Sequence, residues 1–118
     1  MPALLKGWID RVFIGGWAYA DTPDGGLEKK LRHLNVHLIA LGAADQNTYS
    51  KRGYANAMQT QIDHGIFDYC GARVVTSALL LQPELEGLAG HLQVASDIGR
   101  QLFSNVPEET TQIRLACQ

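Results

Sequence analysis

An α/β domain is what this chain of 118 residues predicts. Two short, almost wholly aliphatic runs, residues 36–41 and 73–81, are apolar on both faces, as strands buried in a parallel sheet are. The stretch between them keeps helical spacing, and amphipathic segments stand before the first run and after the second. Strands joined through a helix imply a parallel crossover, right-handed by the general rule for such connections.

The elements follow in order. Residues 2–13 predict a helix, because Leu4, Leu5, Trp8, Ile9, Val12 and Phe13 recur at helical spacing and Pro2 supplies a backbone angle suited to a first turn. An aromatic loop with Trp17 and Tyr19 comes next. Residues 21–26, Asp-Thr-Pro-Asp-Gly-Gly, are dense in turn formers and predict a surface loop. A charged connection over 28–34 leads into the first strand, which Gly42 ends. The polar stretch 43–53, with Asp45, Gln46, Asn47 and Ser50, reads as a long strand-to-helix loop. Met58, Ile62, Ile66 and Phe67 then predict a helix over 54–69, and Gly71 sits where a left-handed cap is wanted. After the second strand, Pro83 opens a helix whose stripe is Leu85, Leu88, Leu92, Ala95, Ile98 or Gly99, and Leu102. That helix is expected to cover the sheet, and residues 105–118 read as a loose tail of the single domain.

Bulk properties exclude several functions. With 46% hydrophobic and 19% charged residues and a formal net charge of -2, the chain has the balance of an ordinary globular protein. It shows no basic patch that nucleic acid would require. Cys70 and Cys117 lack metal-type or CxxC spacing, which argues against a disulfide framework or zinc site and suits a reducing cytoplasm. Lys6, Asp10 and Arg11 interrupt the N-terminal apolar residues, so no signal peptide is expected, and the longest purely apolar run, 78–81, cannot span a bilayer. His33 and His37 are four apart, but His37 lies in a predicted strand and no carboxylate or thiol joins them, so no metal is expected. His64 and His91 read as solvated or capping residues, and Cys70 as a small core residue. No G-x-S-x-G elbow supports hydrolysis.

Two strands make an incomplete sheet, since both edges stay open. Either the chain pairs with another copy or it is the C-terminal portion of a larger doubly wound domain.

Four ordered segments sharpen this. They are PALLKGWIDRVF at 2–13, GWAY at 16–19, VHLIALGA at 36–43, and Gly53-Tyr54 leading to GIFDYCG at 65–71. Together they resemble the NAD(P)H dehydrogenase (quinone) type of flavodoxin-like flavoprotein. The resemblance implies a flavodoxin-like parallel sheet with flanking helices, of which the first strand, the phosphate-binding loop and the central strands are missing from these residues. It implies FAD or FMN as cofactor, NAD(P)H as hydride donor, a quinone or similar aromatic acceptor, and a cytoplasmic homodimer formed partly by the helix at 2–13. A hydride would pass from nicotinamide to flavin and, in a second visit to the same pocket, to the quinone. By the same resemblance Trp17 and Tyr19 are pocket walls, while Leu41, Gly42 and Ala43 stand with Ala40 where the family usually reads Thr-Thr-Gly-Gly and meets the flavin through backbone amides. Tyr49 falls where the family often has a tyrosine lining the site. No general acid or base is implied. Taken singly, Trp17 and Tyr19 also fit loop anchors, Gly42 a strand end, and Tyr49 a half-buried loop residue. The alternative function is non-catalytic: a truncated remnant, or a dimeric interaction module such as an ancillary subunit of a potassium efflux system.

Overall fold

A computed structural model describes residues 1–81 and 87–102. They fall into two compact units, divided after residue 82.

The first unit opens with α1 (Ala3–Val12), for which Pro2 is the N-cap. The predicted helix is therefore present, one residue shorter at each end. Its apolar stripe is mostly uncovered, however: Ile9 is the buried residue, while Leu4 is 89% exposed and Trp8 52%. Phe13, just past the helix, packs instead against a separate core.

A hairpin that periodicity could not reveal follows, β1 (Tyr19–Asp21) paired antiparallel with β2 (Leu27–Lys29). Each strand has three residues, fewer than an alternating pattern needs to be recognised. The predicted loop at 21–26 is the turn joining them. Thr22 donates its amide to the Gly26 carbonyl and accepts from the Gly25 amide through its own carbonyl, both at 2.9 Å. The Thr22 hydroxyl also donates to the Asp24 carboxylate, which with the nearby amides holds Asp24 below the usual carboxylate range.

The central pair is β3 (Asn35–Leu41) and β4 (Arg73–Leu80), parallel as predicted, with Asn35 opposite Arg73 and Leu41 opposite Leu80. The register shifts between Val36 and His37, so that His37 faces Thr76 and its Nδ1 lies 3.1 Å from the Thr76 hydroxyl. Val36, Leu38 and Val74 pack against the core formed by Ala18, Leu31, Phe67, Cys70 and Ala72. On the opposite pleat of β3, Ile39 and Leu41 are exposed. Because successive side chains alternate in direction, one face of this sheet is buried and the other is bare in the unit. The doubly buried strands that the aliphatic runs suggested are, in this unit, buried on one side.

Between the strands the chain is helical almost throughout. Residues 43–53 are not one long loop, because α2 (Gln46–Arg52) occupies most of them. Asp45 caps it, accepting the Thr48 amide at 2.7 Å, and Gly53 closes it in the left-handed region at φ 68. The helix has no buried residue, so it carries no apolar stripe by which to be read. Its start and stop signals were the readable trace. Next, α3 (Tyr54–Met58) runs directly into a π-helical segment (Gln59–Asp68). The predicted helix over 54–69 thus exists, but its second part is wound wider, with bonds reaching back five residues: the Tyr69 amide to the His64 carbonyl at 3.1 Å, and the Ala72 amide to the Phe67 carbonyl at 2.9 Å.

The exit from this segment is pinned. Gly71 has φ 91, as its predicted capping role requires. Lys29 donates its Nζ to the Asp68 carbonyl at 2.6 Å, and the Leu31 amide donates to the Cys70 carbonyl at 2.9 Å. These bonds tie the hairpin to the amino end of β4, and the core sits at the same end of the sheet.

The second unit contains α4 (Gly87–Gln101), which lies within the stretch expected to be helical after Pro83. Asp97 accepts from Gln93 at 2.8 Å and from Arg100 at 2.8 Å along its surface. Pro83, Leu85 and the tail at 105–118 lie outside the described residues.

Candidate functional site

The carboxyl end of β3 is where an open parallel sheet offers a ligand its best surface, because loops diverge there and backbone amides point outward. Leu41, Gly42 and Ala43 form that end. The pleat decides which amides are free. Gly42 donates its N–H to the Leu80 carbonyl at 2.9 Å, continuing the ladder toward β4. Leu41, one residue earlier, therefore directs its amide to the other edge of β3, which pairs with no strand among the described residues. Gly42 thus differs from the expectation of a free backbone donor.

What Gly42 contributes is space. A Cβ placed there would lie 2.6 Å from the Tyr49 hydroxyl, 3.0 Å from its Cζ and 2.7 Å from Leu81 Cδ2. Tyr49 reaches this position because it stands in the first turn of α2, whose start Asp45 fixes. The Asp45 carboxyl is held below its ordinary value, chiefly by the Thr48 amide that it accepts. Tyr49 also meets Tyr54 edge to face, ring centroids 5.5 Å apart. The structure thus brings four of the six expected residues together: Leu41, Gly42, Ala43 and Tyr49 share the strand end.

Trp17 and Tyr19 lie elsewhere. Trp17 leans on Phe13, with ring centroids 6.0 Å apart, and is half exposed. Tyr19 meets Tyr69 at 5.3 Å. Together with Ile9, Asp10, Phe13, Gly65, Ile66 and Cys70, these two tyrosines line a small cavity of about 190 Å³. Tyr69 precedes Arg73, the amino end of β4, so roughly 20 Å of strand separates this aromatic cluster from Gly42 at about 3.3 Å per residue. A single chain does not assemble the two groups into one pocket.

Sequence reasoning missed Tyr54 as a neighbour of the site. Tyr54 stands in the fourth resembling segment and at the start of a predicted helix, but nothing in that pattern brings its ring against Tyr49. Cys70 behaves as expected of a core residue: it is buried, and burial pushes its thiol up, which makes it a poor nucleophile. Among the described residues there is no cluster of three or more His, Cys, Asp or Glu side chains able to hold a metal ion. No helix among them is long and apolar enough to cross a membrane.

A flat heteroaromatic ring fits the strand end on chemical grounds. The Leu41 amide can meet a ring edge, and the Tyr49 phenol, which has no hydrogen-bond partner among the described residues, can donate to it. A phosphate does not fit there, since the negative Asp45 already occupies the start of α2.

Helices over a parallel sheet, with the site at the strand ends, define a protein of flavodoxin-like α/β architecture. Comparison with known proteins agrees, for the profile of the family described as having a flavodoxin-like fold matches residues 1–99. The chain belongs to this flavodoxin-like family, the one that includes proteins named NAD(P)H oxidoreductase and NAD(P)H dehydrogenase [quinone]. It is 27% identical over 114 residues to an uncharacterized NAD(P)H oxidoreductase of Haemophilus influenzae, a match covering 97% of this chain and 52% of that protein. It is 33% identical over 90 residues to the human ribosyldihydronicotinamide dehydrogenase [quinone], covering 72% of this chain and 38% of the relative. Against the NAD(P)H dehydrogenase [quinone] 1 of Cavia porcellus the identity is 32% over 97 residues, covering 77% and 32%. The chain thus spans about half, or less, of the length of these relatives. No solved structure matches it significantly.

Proposed function

We propose that this chain contributes the ring-binding part of a flavin-dependent NAD(P)H:quinone oxidoreductase. The observation that carries the reading is the strand end, where the Leu41 amide faces the open edge of β3 and the Tyr49 phenol, without a hydrogen-bond partner among the described residues, lies against Gly42, in a chain of this family. The names of its relatives supply the substrate classes.

Bound FAD or FMN would supply two-electron redox chemistry between NAD(P)H and a quinone or similar acceptor. The chain's residues have simpler tasks. The Leu41 and Ala43 backbones hold the ring edge, and donors already in place at a strand end need no reorganisation when charge develops there. Gly42 leaves room for Tyr49, whose hydroxyl donates to the bound ring. Trp17 and Tyr19 act as flat walls for nicotinamide or quinone, which bury well against aromatic surfaces.

The separation of Trp17 and Tyr19 from Gly42 supports a homodimer in which each chain lends its aromatic wall to the other's strand end. The bare apolar face of α1, with Leu4 and Trp8 exposed, supports the same assembly, as large exposed apolar surfaces usually mark interfaces. The cytoplasm is the compartment that suits two cysteines without CxxC or metal-type spacing.

The test is direct. The purified 118-residue chain is titrated with FMN and with FAD, following flavin fluorescence and the visible spectrum, and then given NADH or NADPH with a soluble quinone. Saturable flavin binding and NAD(P)H-dependent quinone reduction are expected. A chain that binds neither flavin at micromolar concentrations sinks the reading for this polypeptide.

A further inference from the structure

We propose that Tyr54 is a positioning residue whose ring holds the Tyr49 phenol over Gly42, at the place where a flat ring ligand would meet the strand end. This rests on the flavin reading for the identity of the ligand, but the geometry is independent of it.

Three constraints converge on Tyr49. Its backbone is set by α2, which the Asp45 cap starts and Gly53 ends. Its hydroxyl approaches Gly42 so closely that a Cβ there would sit 2.6 Å away. Its ring meets the edge or face of Tyr54 at 5.5 Å with planes at 85°, an arrangement that satisfies the ring quadrupoles. The left-handed Gly53 lets the chain turn abruptly from α2 into α3, so that residues 49 and 54 face each other although they lie on different helices.

The phenol itself has no hydrogen-bond partner among the described residues. Packing therefore has to aim it. Of the groups in contact, Gly42 gives space and Tyr54 gives a wall. Tyr54 is itself 47% exposed, too open to be explained as a core residue. The same holds for its hydroxyl, which also has no partner among the described residues. The ring, and not the hydroxyl, performs the task, so phenylalanine should replace tyrosine here without loss.

The experiment uses the full chain with its four tyrosines labelled with carbon-13 in the ring, the Tyr49 resonances being assigned by their disappearance in Tyr49→Phe. Tyr54→Ala is expected to move the Tyr49 ring resonances and to weaken their nuclear Overhauser contacts with Gly42, which loss of the Tyr54 ring current alone does not alter, and Tyr54→Phe to leave both near the wild-type position. Gly42→Ala, through its Cβ, is expected to move the Tyr49 resonances as well. In a parallel titration with FMN, Tyr54→Ala should weaken binding by about fivefold, the loss of an aromatic pair worth about 1 kcal/mol, while Tyr54→Phe keeps wild-type affinity. Tyr49–Gly42 contacts unchanged in Tyr54→Ala overturn the proposal, as does a Phe variant that behaves like the Ala variant. If Tyr54→Ala does not fold, Tyr54→Leu takes its place with the same two criteria. Absence of FMN binding to the wild-type chain overturns the flavin reading instead, and the Tyr49–Gly42 contacts still decide whether Tyr54 positions Tyr49.

Discussion

Gly71→Ala tests the junction on which the hairpin, the π-helical segment and β4 converge. Gly71 has φ 91, and an added Cβ would lie 2.8 Å from Lys29 Cβ and 3.0 Å from Arg32 Cγ. The substitution therefore carries two costs. Left-handed backbone costs an L-residue about 1–2 kcal/mol. Overlap with Lys29 adds about 1–2 kcal/mol more, since its Cβ is bound to the hairpin backbone and cannot rotate away. The expected loss is about 2–4 kcal/mol, a large part of the stability of a small domain. Gly53→Ala is the control, because Gly53 shares the left-handed conformation at φ 68 but has nothing within 4 Å of an added Cβ, and about 1 kcal/mol is expected from backbone strain alone. Urea unfolding followed by circular dichroism measures both, with midpoints compared at equal slope. If the two alanine variants lose the same stability, the packing of Gly71 against Lys29 and Arg32 is not what the structure indicates, and the reasoning fails.

Two further outcomes follow from burial and charge. Phe67→Ala should cost about 3–5 kcal/mol because its ring is buried in the core and meets Phe13 at 5.7 Å, whereas Leu41→Ser should stay within about 0.5 kcal/mol since Leu41 is 82% exposed; the same unfolding assay reads both. Asp45 has its carboxyl depressed in the folded chain by the Thr48 amide, so its capping contribution is fully present above the unfolded carboxylate value and is lost as pH falls through the lower folded one. The Thr48 amide resonance should report that loss on acidification, and Asp45→Asn, which still caps but does not titrate, should abolish the pH dependence; a titration unchanged in the Asn variant would assign the effect to another group.

Much of this architecture was legible in the residues, and the reasons are specific. Residues 36–41 and 73–81 are long enough and apolar enough to announce strands, and the Asp-Thr-Pro-Asp-Gly-Gly cluster to announce a turn. The polar helix α2 reads as loop in the sequence because it buries nothing, and a helix without an apolar face leaves only its caps to be read. The hairpin strands were hidden by their length, and the widened segment at Gln59–Asp68 by an apolar spacing that an ordinary helix would share. At the site, the strand end and Tyr49 were readable from ordered resemblance. Tyr54 was not, because a ring contact between two helices leaves no periodic trace.

By itself, then, the order of residues determined the α/β class, the parallel strand pair and the family, since these depend on local patterns and on ordered segments. The tertiary structure decided how each piece is used. Hydrogen bonding in the parallel ladder committed the Gly42 amide to Leu80 and left Leu41 facing the open edge. Packing placed the Tyr49 phenol over a glycine and left Trp17 and Tyr19 at the other end of the sheet. Directions of amides and distances between distant side chains are set when strands pair and helices close over them, and no pattern along the chain records them.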